Sequence, residues 1–216
     1  MMSDKRDSLS FEELVRVYGG QAYTAVEICG MRRELPIRRV AEDIWIASNH
    51  QLVLGRDVEF TRRVGARLAE MIKVHNPEFL LTAESKSLPL VYETAKRLGH
   101  LVMGVARKEK KSYMGKTCLA EKIRSITTGR LQNLVLEMDE AEKMRGKRVC
   151  VIDDVVSTYG TMGGLERLAE RAGGKVVCRA AVWLEGPWYG GDLMHLGILP
   201  IFVTREKFDE LRRAYG

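Results

Sequence analysis

Apolar positions along the chain change their period several times, and each change marks an element. Ser10 followed three residues later by Glu13 forms a capping box, and Phe11, Leu14, Val15 and Tyr18 fall on one stripe. Together they predict a helix that Gly19-Gly20 stops. From Ala22 to Leu54 the pattern breaks into short mixed segments, such as Ala25-Val26-Glu27-Ile28 and Ile44-Trp45-Ile46-Ala47, which suggest either small antiparallel strands or a partly irregular flap. After Asp57, Val64, Leu68, Met71 and Ile72 return at helical spacing and end before Asn76-Pro77.

Beyond that point, strand-like runs alternate with helical ones. Phe79 to Thr82, Leu101 to Ala106, Leu131 to Leu136, Val149 to Ile152, Val176 to Leu184 and Ile198 to Val203 read as strands. Leu88 to Leu98, Thr161 to Ala172 and Arg205 to Ala214 read as helices. This alternation predicts an α/β fold with a parallel-sheet core covered by helices on both faces. The expected division is an N-terminal helix and hood over residues 1–56 and a core over 57–216. A polar stretch from Lys108 to about Arg130 shows no clear period.

A chain of 216 residues, 45% of them hydrophobic, buries roughly 70% of its unfolded surface and needs no staple to hold a core. Its four cysteines, Cys29, Cys118, Cys150 and Cys178, are widely spaced and form no CxxC or Cys/His cluster, as in a reducing compartment. The N-terminus has no apolar leader core, and no run approaches the roughly 18 apolar residues of a membrane span. A cytoplasmic protein with no membrane partner is therefore expected. The net charge of +6 suits an anionic partner, whether nucleic acid, acidic lipid or a phosphorylated metabolite.

The segment from Val149 to Met162 carries the chemistry. A buried strand presents Asp153 and Asp154 at its C-terminal end, where ligands bind in open α/β sheets. A turn rich in hydroxyls and glycine then enters a helix. Free backbone N–H groups and the helix dipole make such a turn a phosphate cradle, and Ser157, Thr158 and Thr161 add hydroxyls. Adjacent carboxylates on a strand point apart, so one can meet a sugar diol while the other faces solvent or a hydrated metal. A ribose 5-phosphate fits that arrangement. The GxxxxGK[ST] and GxGxxG phosphate loops are both missing.

Val149 to Met162 resembles the phosphoribosyl pyrophosphate signature of the type I phosphoribosyltransferases, and two further elements follow in family order. The resemblance implies that Val155, Val156, Ser157, Thr158, Tyr159, Gly160 and Thr161 hold the 5-phosphate. Tyr159 stands where the family usually has a small residue, and a left-handed backbone there would strain it. Ala83, Glu84, Ser85 and Lys86 match the family's pyrophosphate loop, and Arg107, Lys108 and Lys111 match its basic run on pyrophosphate. Residues 112–130 resemble a flexible catalytic loop that closes over the site; a surface hairpin with no role in the site is the other reading of the same stretch.

The resemblance further implies a type I phosphoribosyltransferase fold and Mg²⁺ as cofactor, held by Asp153 and Asp154 through water. Asp153, Asp154 and Lys111 are the expected catalytic residues, and Trp183, Leu184 and Glu185 lie where the base should bind. Its substrates would be phosphoribosyl pyrophosphate and a purine, and its state a homodimer. Ser157 replaces an Asp that some 6-oxopurine enzymes carry, which favours adenine, with hypoxanthine, xanthine and guanine kept open. Two alternatives stand beside this. One is a phosphoribosyl pyrophosphate-sensing transcriptional regulator, for which Arg32-Arg33, Arg38-Arg39 and Arg62-Arg63 leave room; without a separate helix-turn-helix domain, a nucleic acid partner is not expected. The other is an orotate or uracil enzyme.

Overall fold

The computed structural model of the chain describes residues 9–112, 114, 115, 117–124 and 131–216. In chain order these form α1 (Phe11–Leu14), β1 (Val15–Val17), β2 (Tyr23–Ile28), β3 (Met31–Arg39), β4 (Ile44–Ala47) and α2 (Val58–Ile72). Then come β5 (Phe79–Ala83), α3 (Leu88–Leu98), β6 (Gly104–Ala106), β7 (Cys118–Arg124), β8 (Leu131–Glu137) and α4 (Met138–Met144). The chain closes with β9 (Arg148–Val156), α5 (Gly160–Arg171), β10 (Lys175–Glu185), β11 (Met194–Leu199), β12 (Ile201–Val203) and α6 (Arg205–Tyr215).

The central sheet runs β11-β10-β9-β5-β6 with every pairing parallel. Its inner strands β5 and β9 are buried on both sides, and successive side chains divide between the two faces as a period of two requires. Leu80, Cys150 and Ile152 meet Phe60, Val64 and Leu68 of α2 and Val91 of α3. Phe79, Leu81, Val149 and Val151 meet Leu165 and Leu168 of α5 and Met144 of α4. Each fully buried Val, Leu or Phe of this kind contributes about 1.5–3 kcal/mol, so the two layers carry the fold. Asp57 begins α2 by accepting the Phe60 N–H at 2.8 Å.

The hood is a second sheet, β1-β12-β4-β3-β2. It takes in a strand from the far end of the chain, because the apolar run 198–203 is broken by Pro200. Leu199 still pairs with Glu185 of β10, whereas Ile201 pairs with Val15 and Ile46. Proline has no N–H to donate, so the run changes sheet there.

Three elements differ from the pattern in the sequence. The first helix stops after Leu14, although Glu13 does accept the Ser10 N–H at 2.8 Å. Val15 and Val17, both β-branched, pair with β12 instead, and the Tyr18 N–H continues the ladder to the Val203 carbonyl at 2.8 Å. The strand expected from Leu101 begins only at Gly104, and Leu101 is 99% exposed. In the stretch 112–130, positions 113, 116 and 125–130 lie outside the described residues. The remainder includes β7, which forms an antiparallel hairpin with β8. On β7, Glu121 shares a face with Leu119 and Ile123 and binds Arg167 and Arg171 of α5, so a charge interrupts the apolar alternation.

Candidate active site

A cavity of about 440 Å³ opens beyond the C-terminal ends of β5, β9 and β10. That is where a parallel sheet leaves a crevice, because its strands all finish on one edge. The apolar run of β9 carries the chain straight into it, and the residues from Asp153 to Thr161 all lie on its wall.

The two carboxylates diverge as a pleated strand demands. Asp153 accepts the Ser87 hydroxyl at 3.0 Å and the Asp154 N–H at 2.9 Å. Asp154 turns to the hood and accepts the Asn49 amide at 3.1 Å. Burial, with the charge of Asp154 beside it, raises the Asp153 carboxyl to about 8. Asp153 therefore keeps its proton to higher pH than an ordinary carboxyl does.

The turn into α5 is the second feature. Its N-cap, Tyr159, has φ +69° and ψ −3°, in the left-handed region. The chain then enters α5, whose first N–H groups have no acceptor within the helix and aim their partial positive charge outward. The ring of Tyr159 stacks on Tyr189 with centroids 4.8 Å apart, and Arg179 reaches its hydroxyl at 3.3 Å. The strain expected of a tyrosine here is thus real, and side-chain contacts hold it.

The cations divide. Lys86, after β5, and Lys108, after β6, line the cavity. Arg107 does not line it; its Nε lies 2.8 Å from the Glu84 carboxylate. Lys111 is off the wall too and is paired with Glu109, whose hydrogen bond raises the ammonium's pKa. In the loop after β5, Ala83 and Glu84 are on the wall, whereas Ser85 is exposed outside it; the peptide joining Glu84 and Ser85 is cis. Glu84 also accepts the Lys108 N–H at 2.7 Å, which ties the two loops together.

Of the trio at the end of β10, only Glu185 lines the cavity. Trp183 is 1% exposed in the main core and fills space that Gly197 leaves open: a Cβ there would sit 2.6 Å from the indole. Leu184 is likewise buried away from the wall. Burial raises the Glu185 carboxyl to about 7; the Ser157 hydroxyl opposes this, the charge of Asp154 adds to it, and Lys86 opposes it.

Several wall residues fall outside the site motifs read from the sequence. Ile46 to Asn49 come from the hood, Ser87 from the start of α3, and Ile123, Gln132 and Leu134 from the β7-β8 hairpin. The hairpin is therefore part of the site. No group of three or more His, Cys, Asp or Glu side chains gathers to hold a metal among the described residues, and no helix there is long and apolar enough to cross a membrane.

Comparison with known proteins places this geometry. Residues 59–191 match the phosphoribosyl transferase domain family. A stretch of 125 residues is 30% identical to the adenine phosphoribosyltransferase of Thermotoga petrophila, covering 58% of this chain and 69% of that relative. The adenine phosphoribosyltransferase structure from Rhodothermus marinus aligns with TM-score 0.54 at 23% identity, over 82% of this chain and 94% of its own. That from Trypanosoma brucei, solved with AMP, pyrophosphate and ribose-5-phosphate, aligns with TM-score 0.58 at 16% identity, over 82% of this chain and 76% of its own.

Proposed function

The chain belongs to the phosphoribosyl transferase domain family, and from that premise we propose that it moves the 5-phosphoribosyl group of phosphoribosyl pyrophosphate onto a purine, adenine foremost, and releases pyrophosphate. The observation that carries this reading is one cavity that unites a helix N-terminal turn, two diverging carboxylates and two lysines. Phosphate, diol and pyrophosphate each find a matching group in that order. The choice of adenine rests on the curated relative, an adenine enzyme, and on Ser157 in place of an acid.

The α5 turn grips the 5-phosphate through its free N–H groups and the hydroxyls of Ser157, Thr158 and Thr161. Asp153 and Asp154 meet the ribose hydroxyls from the cavity wall. As the bond from C1 to pyrophosphate lengthens, Lys86 and Lys108 stabilise the negative charge that gathers on the leaving group. A ring nitrogen of the base then bonds to C1 while pyrophosphate keeps the electron pair of the broken C1–O bond, and the proton on that nitrogen passes to a wall carboxyl or to water. Glu185, able to donate and accept near neutral pH, is the wall residue offered to the base. Hood residues 46–49 and the β7-β8 hairpin flank the cavity and limit water, which would otherwise hydrolyse the donor.

The residues suit Mg²⁺, which keeps several waters and leans on substrate oxygens instead of an all-protein cage. Asp153 and Asp154 would hold its waters, and the ion would supply charge neutralisation at the pyrophosphate. A homodimer belongs to the same proposal.

The test supplies phosphoribosyl pyrophosphate and Mg²⁺ with adenine, hypoxanthine, guanine, xanthine, orotate or uracil separately, and reads the nucleotide by mass. AMP forming fastest is the expected result. No nucleotide from any of the six would overturn the reading, and a pyrimidine nucleotide alone would overturn the purine assignment.

A further inference from the structure

Tyr189 lies outside the cavity wall, yet it is placed to control the shape of the turn that makes the wall. The turn requires a left-handed residue at 159, and this chain puts a tyrosine there, with φ +69°. A side chain in that region costs energy that glycine would not incur. Something must hold the residue in place, and the contacts are specific.

The ring of Tyr159 lies on Tyr189, 4.8 Å between centroids and 22° between planes. Its other neighbour is the backbone of α5: a Cβ at Gly163 would stand 3.0 Å from the Tyr159 ring, so glycine alone lets the ring settle there without a shift. Arg179 reaches the Tyr159 hydroxyl at 3.3 Å and is itself anchored by an ion pair to Glu166, a residue of α5. The ring is thus fixed by the helix that the turn begins, by Arg179 of β10 and by one residue of the loop after β10.

That loop is shaped around Tyr189. The Tyr189 hydroxyl donates to the Asp192 carbonyl at 3.1 Å, and a Cβ at Gly191 would fall 2.3 Å from the same oxygen. The loop curls back on the ring and presents its face to Tyr159. Only Tyr159 of the pair reaches the cavity.

We propose that Tyr189 is a positioning residue for sugar-phosphate binding: by stacking on Tyr159 it holds the α5 turn in the left-handed form whose N–H groups receive the 5-phosphate. The proposal rests on the assignment of that turn to phosphate. It makes affinity for a ribose 5-phosphate group depend on a side chain that touches no ligand. It also makes the dependence conditional on Tyr159, since glycine at 159 takes the same dihedral angles without a stack to hold it.

The test is a double-mutant cycle read by calorimetric titration of ribose 5-phosphate, with steady-state kinetics alongside. Tyr189→Ala should weaken ribose 5-phosphate binding on the order of tenfold, the factor that losing an aromatic stack is worth. In turnover the loss should appear in KM for phosphoribosyl pyrophosphate and spare kcat. Tyr189→Phe keeps the stack and should restore affinity. Tyr159→Gly with Tyr189→Ala should bind as well as Tyr159→Gly alone, because the stack no longer matters. Equal affinities for Tyr189→Ala and the wild type would overturn the proposal while leaving the phosphate turn standing. So would a tenfold loss that persists unchanged in the Tyr159→Gly background. A wild-type chain that bound no ribose 5-phosphate would remove the phosphate assignment and this proposal with it. Thermal melting of each variant separates a folding loss from a binding loss, and the Phe and Gly variants keep the cycle decisive if Tyr189→Ala unfolds.

Discussion

At the end of β9 every residue from Asp153 to Thr161 reaches the cavity, whereas in the basic run after β6 Lys108 reaches it and Arg107 and Lys111 do not. The two regions differ in what fixes the side chains. After β9 the chain passes from a buried strand through one tight turn into a helix, so the backbone dictates where each group points. After β6 it runs into exposed backbone with acids close by. Long cationic side chains there take the nearest carboxylate: Arg107 takes Glu84, and Lys111 takes Glu109. A motif held by strand, turn and helix carries its geometry with it, whereas a run of charge carries only its sign.

The sharpest way to break this contrast is at its rigid end. Asp153→Asn with Asp154→Asn should lower kcat/KM for nucleotide formation by at least about 10²-fold, the loss typical of removing a preorganised polar group from a reacting centre. Activity near the wild-type level would remove the carboxylates from the site. A neighbouring contrast lies at the end of β10, where Trp183 is core and Glu185 is on the wall. Trp183→Ala should cost about 3–5 kcal/mol of stability in chemical denaturation. The milder Trp183→Phe should leave the order of preference among bases unchanged, and Glu185→Gln should alter it. A shift in base preference on Trp183→Phe would return the indole to the base site.

The same contrast explains what could be read from residues alone. The Val149–Met162 segment was legible because its strand, acids, turn and helix are contiguous. The start of α2 was legible because Asp57 caps it locally. Asn49 and Ser87 were not, for they meet their carboxylates across 105 and 66 residues of chain, and no local period marks them. The β7 strand stayed hidden because Glu121 occupies its inner face to bind Arg167 and Arg171. The hood sheet borrows β12 from beyond Pro200, so its last member lies far from residues 1–56. Tyr159 announced strain but not the stack on Tyr189 that holds it.

Single substitutions of the cations refine the comparison. Lys86→Ala and Lys108→Ala should each raise KM for phosphoribosyl pyrophosphate about tenfold, the scale of one charge-assisted contact to phosphate. Arg107→Ala and Lys111→Ala should change it by no more than about threefold, since neither side chain lines the cavity: Arg107 is held in a half-buried pair with Glu84, and Lys111 in a surface pair with Glu109. If Lys111→Ala proved the most damaging of the four, the pairing with Glu109 would have to give way when substrate binds. The basic run would then act as a unit.

A last test separates the two regions by pH. Asp153 is raised to about 8, and Glu185 to about 7, by burial. On the β6 side, the Lys111 hydrogen bond instead holds Glu109 below its ordinary value. In the unfolded chain these carboxyls titrate near ~4. Between about 4 and 8 the folded protein keeps protons on Asp153 and Glu185 that the unfolded chain has already released, so raising the pH favours unfolding. Burial also raises Glu140 and Glu166, which adds a slope of the same sign. Asp57, lowered by its bond to Arg33, has the opposite slope, but below about 4, outside the window. The melting temperature should therefore fall as pH rises from about 5 to 8 and level off above it. Asp153→Asn should flatten that fall and melt above the wild type at pH 8, with the two converging near pH 4. An unchanged slope in the variant would mean that Asp153 is ionised in the folded chain. The rigid end of the cavity would then be as fully charged as the basic run after β6.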